Sequence, residues 1–121
     1  MAKILVVDDV QTDREILGKV VARMGHTPIY AADGGQAVNA AREGQLALIL
    51  LDVVMPGMDG FKVCRTLKAD PALARIPVVL VTSKGGASDV FWGKRQGADD
   101  HVAKPYTLEA MEAVIRRHAG G

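Results

Sequence analysis

Five short apolar runs punctuate the chain: Ile4–Val7, Pro28–Ala32, Leu46–Leu51, Val78–Val81 and a weaker one at His101–Ala103. The first, third and fourth are continuous rather than alternating, as in strands buried on both faces of a parallel sheet covered by helices. Helical spacing fills the gaps. Ile16, Leu17, Val20, Val21 and Met24 form one apolar stripe stopped by Gly25, and Ala37, Val38 and Ala41 form a shorter one closed by Gly44. Phe61, Cys64 and Leu67 mark a third helix that ends at Asp70-Pro71. Leu108, Met111, Val114 and Ile115 mark the last, with Thr107 as its N-cap. The stretch 85–96 carries the weakest helical signal, because Gly85, Gly86 and Gly93 each cost roughly 1 kcal/mol against alanine inside a helix. This strand–helix alternation predicts an α/β fold with a five-stranded parallel sheet, right-handed crossovers and helices on both faces.

A length of 121 residues suits a single domain spanning 1–121 with no output domain. Apolar residues at 49% and charged residues at 24% give a globular balance, and a net charge of +1 argues for neither a nucleic-acid nor a membrane partner. One cysteine, Cys64, cannot form an internal disulfide, which suits a reducing compartment. The apolar start Met1–Val7 is too short for a signal peptide, and the longest apolar run, Leu46–Leu51, is far below the ~20 residues of a membrane span. A cytoplasmic, monomeric protein is expected.

In open α/β sheets, sites form beyond the C-terminal ends of the strands. The residues after the predicted strands are Asp8 and Asp9, then Asp52, then Thr82 and Ser83, then Lys104-Pro105. Taken singly, each has a plain structural reading. Asp8 and Asp9 could cap the first helix, although Gln11, Thr12 and Asp13 offer caps already. Asp52 could be a loop acid, Thr82 a strand end and Lys104 a solvated surface lysine. Their joint placement at one sheet edge favours chemistry. Two carboxylates 4 Å apart repel by about 4 kcal/mol at an effective dielectric near 20, so three call for a cation, and oxygen-only ligands favour magnesium. With such an ion bound, one carboxylate can attack a phosphoryl group, Lys104 can neutralise its oxygens and the Thr82 hydroxyl can donate to it.

The stretch Ile4-Leu5-Val6-Val7-Asp8-Asp9 resembles the acidic opening of response-regulator receiver domains. Leu51-Asp52-Val53-Val54-Met55-Pro56-Gly57-Met58-Asp59-Gly60 resembles their phosphoacceptor loop, and Pro77–Ser83 with Lys104-Pro105 completes the set. The resemblance spans essentially the whole chain and implies a CheY-like doubly wound sheet in the order 2-1-3-4-5. It implies that a histidine kinase phosphorylates Asp52. Asp9, Asp52 and the backbone carbonyl of Val54 would bind Mg2+ directly and Asp8 through water. Lys104 would pair with the phosphoryl group, Thr82 would be the switch hydroxyl, and a cis peptide would join Lys104 to Pro105.

The aromatic switch partner of the threonine is replaced by His101, whose charge can change near neutral pH; it is either a rotating switch or a surface residue. In the switch reading, phosphorylation remodels the face of helix four, strand five and helix five, where a downstream protein docks. Val54 and Lys84 occupy places that influence the phosphate lifetime in this family. The segment Val90–Ala98 is similar to stand-alone receivers of the PilH type, from chemosensory systems that control type IV pili and twitching motility. Trp92 within it is either packed on the sheet or a partner anchor. Cys64 reads as a small buried apolar residue and His26 as a surface cap.

Three other functions compete. A phosphate sink would drain a shared kinase without binding a target. A flavodoxin-like electron carrier needs a phosphate cradle after the first strand, where Asp8-Asp9-Val10 repels phosphate. A phosphatase acting on external substrates needs a cap that this chain has no insertion to build. No enzymatic activity is expected beyond self-phosphotransfer and autodephosphorylation.

Overall fold

Each predicted apolar run is a strand: β1 Lys3–Val7, β2 Thr27–Ala31, β3 Leu46–Leu51, β4 Val78–Thr82 and β5 Asp100–Ala103. The first, second and fifth each begin one residue earlier than their apolar runs. The computed structural model describes residues 2–55, 58–83 and 87–120. Lys84 lies outside these, and so do the side chains of Val54 and Trp92.

The strands pair in parallel in the order β2-β1-β3-β4-β5. The five helices are α1 Gln11–Arg23, α2 Gly34–Arg42, α3 Gly60–Ala69, α4 Ala87–Arg95 and α5 Leu108–Ala119. A short antiparallel ribbon that the apolar pattern does not announce pairs Val54 with Asp59 and Met55 with Met58.

Alternation along the buried strands splits the core in two. Leu5, Val7, Ile49, Leu51 and Leu80 face α2 and α3 through Ala37, Ala41, Phe61, Cys64 and Leu67. Ile4, Val6, Leu48, Leu50, Val79 and Val81 face α1 and α5 through Leu17, Val21, Met111 and Ile115. Gly93 lets α4 close on the first face, since a Cβ there would lie 2.6 Å from Leu80 Cδ1. The glycine that weakens the helical signal thus has a packing role, since a side chain there would force Leu80 to shift. Among the described residues, no helix is long and apolar enough to cross a membrane.

The ends of most helices follow local chemistry. Gly25, at φ +86°, takes the left-handed conformation that ends α1. Thr107 caps α5 by accepting from the Ala110 N–H at 3.1 Å. Three readings need correction. Gln11, Thr12 and Asp13 do not cap α1, whose N-cap is Val10; the Val10 N–H donates instead to Asp8 Oδ1 at 2.9 Å. Ile16, counted in the apolar stripe, is 54% exposed, because it lies off the Leu17–Val21 face. His26 is buried rather than a surface cap, held between the Ala2 N–H and the Gly120 carbonyl.

Candidate functional site

A parallel sheet brings all strand C-termini to one edge, and the ladder continues one residue into the site. The Asp8 N–H donates to Ala31 O at 3.1 Å, Asp52 N–H to Val7 O at 3.0 Å and Lys104 N–H to Thr82 O at 2.9 Å. Each of these candidate residues is therefore fixed to the neighbouring strand by its own backbone. Behind Asp52, α3 packs closely against the main chain. A Cβ at Gly60 would lie 2.4 Å from Val53 Cα and 2.5 Å from Asp52 O, so only glycine permits this approach.

Asp8, Asp9 and Asp52 offer oxygens that all lie within 4.8 Å of one another. Asp8 and Asp52 are buried, and Asp9 is the more accessible of the three. The Lys104 ammonium sits at the edge of this cluster, 2.8 Å from Asp8 Oδ2 and 3.8 Å from Asp52 Oδ2. Burial alone would lower the lysine pKa. The hydrogen bond to Asp8 and the charges of Asp52, Asp8 and Asp13 outweigh burial and raise it, so the ammonium is held charged. The Lys104–Pro105 peptide is cis, as the resemblance implied. Thr82 ends β4, fully buried. Val54 opens the ribbon two residues beyond Asp52. Magnesium, the expected ion, fits the donor set: three converging carboxylates and, among the described residues, no soft ligand.

Two neighbours escape a reading of strand ends. Asp13 on α1 lies 3.4 Å from Lys104 Nζ. Tyr106, half-buried, joins Asp8, Asp13, Ile16, Lys104 and Pro105 around a cavity of about 440 Å³. Only its adjacence to Lys104-Pro105 could have flagged Tyr106, and nothing in the sequence pairs Asp13 with Lys104.

His101 lies mid-strand on β5, opposite Leu80 and two residues before Ala103, the partner of Thr82. It borders a cavity of about 420 Å³ toward α4 and another of about 530 Å³ toward α5. Away from this edge, Cys64 is buried as expected, and burial pushes its thiol up to about 11, against Lys68, which lowers it, and with Asp99. That thiol is protonated at neutral pH and has none of the thiolate character of a redox sensor.

Residues 4–116 match the response regulator receiver domain. The chain belongs to the response-regulator receiver family. Protein PilH of Pseudomonas aeruginosa is 40% identical over 121 residues, covering all of both chains. The DNA-binding response regulator MtrA of Mycolicibacterium smegmatis is 41% identical over 114 residues, 94% of this receiver but 49% of MtrA, so this chain spans about half the length of that relative. Among solved structures, the chemotaxis protein CheY4 of Vibrio cholerae superposes with a TM-score of 0.91 at 28% identity, over 98% of each chain. The doubly wound sheet order of this receiver agrees with that likeness. Membership places the receiver in two-component signalling.

Proposed function

We propose that this receiver accepts a phosphoryl group on Asp52 from a phosphohistidine of a histidine kinase and signals by binding another protein in that state. The observation that carries this reading is the convergence of Asp8, Asp9 and Asp52 within 4.8 Å beside the Lys104 ammonium. An Asp52 carboxylate oxygen attacks phosphorus. The new O–P bond forms as the histidine N–P bond breaks, and the electron pair leaves with the imidazole. Burial strips water from Asp52, which sharpens every charge around it. Lys104, 3.8 Å from Asp52, then exchanges Asp8 for a phosphoryl oxygen, and the Thr82 hydroxyl donates to another. Asp9, Asp52 and the Val54 carbonyl would hold magnesium directly, with Asp8 acting through water; a bound magnesium ion supplies positive charge to the phosphoryl oxygens.

Output follows from charge at this edge biasing the face formed by α4, β5 and α5. His101, between two cavities on that face, is the side chain that would move. The PilH-like sequence supports a role in a chemosensory pathway controlling type IV pili and twitching motility. Intact mass after incubation with acetyl phosphate and magnesium tests the acceptor. One added phosphoryl group in wild type and none in Asp52→Ala is expected. Equal modification of both proteins would place the acceptor elsewhere. No modification of wild type, even with histidine kinases added, would discard the phosphorylation reading.

A further inference from the structure

Asp13 has no part in the mechanism above, yet its carboxylate reaches Lys104 from 91 residues away in sequence. The ammonium lies 2.8 Å from Asp8, 3.4 Å from Asp13 and 3.8 Å from Asp52. It is therefore drawn toward α1, closer to Asp13 than to the carboxylate it would serve. Asp13 occupies the first turn of α1, where an acid also suits the helix dipole. The dipole alone accounts for the residue type. It does not account for an oxygen turned onto a lysine of another strand end.

The three carboxylates differ in what binding leaves them free to do. Asp8 belongs to the converging group that suits a cation, and a cation there takes up its charge. Asp13 is not among those converging oxygens and is 45% exposed at its side chain. Once a cation engages Asp8, Asp13 is the carboxylate that still competes for the ammonium.

We propose that Asp13 is a positioning residue that holds Lys104 on the α1 side and competes with the phosphoryl group for it. The proposal rests on Asp52 being the acceptor. Asp13 thereby sets how far the unmodified site must be pulled before Lys104 engages the phosphoryl oxygens, and it favours the unmodified state.

The test is the equilibrium affinity of full-length protein for beryllofluoride, a mimic of the phosphoryl group, at saturating magnesium, followed by NMR. Asp13→Asn keeps the shape and removes the charge, and it should bind the mimic about two- to fivefold tighter, the size of a half-exposed ion pair. The gain should shrink as salt is raised. Asp13→Glu, which restores the charge, should return to wild-type affinity. Glu15→Gln removes the same charge from α1 without touching Lys104 and should change nothing. In the absence of the mimic, the Lys104 side-chain signals should shift in Asp13→Asn and not in Glu15→Gln. Equal affinities in wild type and Asp13→Asn, or equal tightening in Glu15→Gln, would overturn the proposal while leaving Asp52 as acceptor. Failure of wild type to bind the mimic, or binding retained in Asp52→Ala, would overturn both.

Discussion

Replacing Lys104 by methionine leaves Asp8 buried without the ammonium that sits 2.8 Å away. Breaking a buried pair from one side typically costs about 3–5 kcal/mol, because a charge is stranded. The lysine side chain is 22% exposed and Asp8 keeps the Val10 N–H, so solvent and that bond absorb part of the loss. We expect Lys104→Met to lose about 2 kcal/mol in urea denaturation, with part of it recovered by adding Asp8→Asn. Undiminished stability would mean that the Val10 N–H suffices for Asp8. At this scale the sequence was legible where chemistry follows a strand. Asp8, Asp52, Thr82 and Lys104 can be read because parallel strands all end on one edge. Asp13 could not, because a side chain on a helix turn carries no mark of which distant residue it faces. At the start of α1 the sequence offers Asp8 and Asp9 beside Gln11, Thr12 and Asp13 without choosing among them, and it is Asp8, outside the helix, that accepts from the Val10 N–H.

At the scale of elements, the sheet is tied to its last helix by charge as well as by apolar contact. Asp100, at the start of β5, receives hydrogen bonds from Arg117 and from His118 Nε2 at 3.0 Å, both in the last turn of α5, and from the His101 N–H. Burial would raise the Asp100 pKa. The bonds from His118, the His101 N–H and Arg117, with the charge of Arg117, outweigh burial and lower it. A carboxyl titrating lower in the native than in the unfolded state stabilises fully above its unfolded pKa, about 3.9, and loses that contribution as pH falls through the native value. Asp100→Asn should therefore lower stability by about 1 kcal/mol near pH 7, and the gap to wild type should narrow as pH falls below about 3.9 and close through the lower native value. A gap independent of pH would assign the loss to packing. None of this network stands out in the sequence, and neither does Lys68, whose ammonium donates to Ala74 O, Ile76 O and Asp99 and so ties α3 to the segments before β4 and β5. Apolar periodicity reports which face of an element is buried. It is silent on which charges join elements.

The whole molecule was the most legible level, since continuous apolar runs leave a parallel sheet covered on both faces as their one economical burial. Topology is a different matter. Nothing in periodicity distinguishes the order 2-1-3-4-5 from other doubly wound orders, and it was the resemblance of motifs that carried it. That topology also imposes a cost on the molecule, because it gathers Asp8, Asp9 and Asp52 within 4.8 Å. Among the described residues, Lys104 is the ammonium within reach, and it pairs with Asp8 and Asp52. Like charges 4 Å apart repel by about 4 kcal/mol at an effective dielectric near 20, and unfolding relieves that repulsion. A divalent cation that binds the folded cluster and not the unfolded chain should therefore stabilise the fold by about 2.7 kcal/mol at a hundredfold excess over its Kd. In a domain of this size that amounts to a rise in Tm of several degrees, readable in thermal melts with and without magnesium. Asp9 is the informative residue to change, since it is more accessible than Asp8 or Asp52 and removing it strands no buried partner. In chelator, Asp9→Asn should melt above wild type, because one repelling charge is gone. In magnesium the order should reverse, because wild type gains the ion and the variant does not. A variant that melts below wild type in both conditions would show that Asp9 is structural, and a wild type indifferent to magnesium would remove the cation from the site altogether.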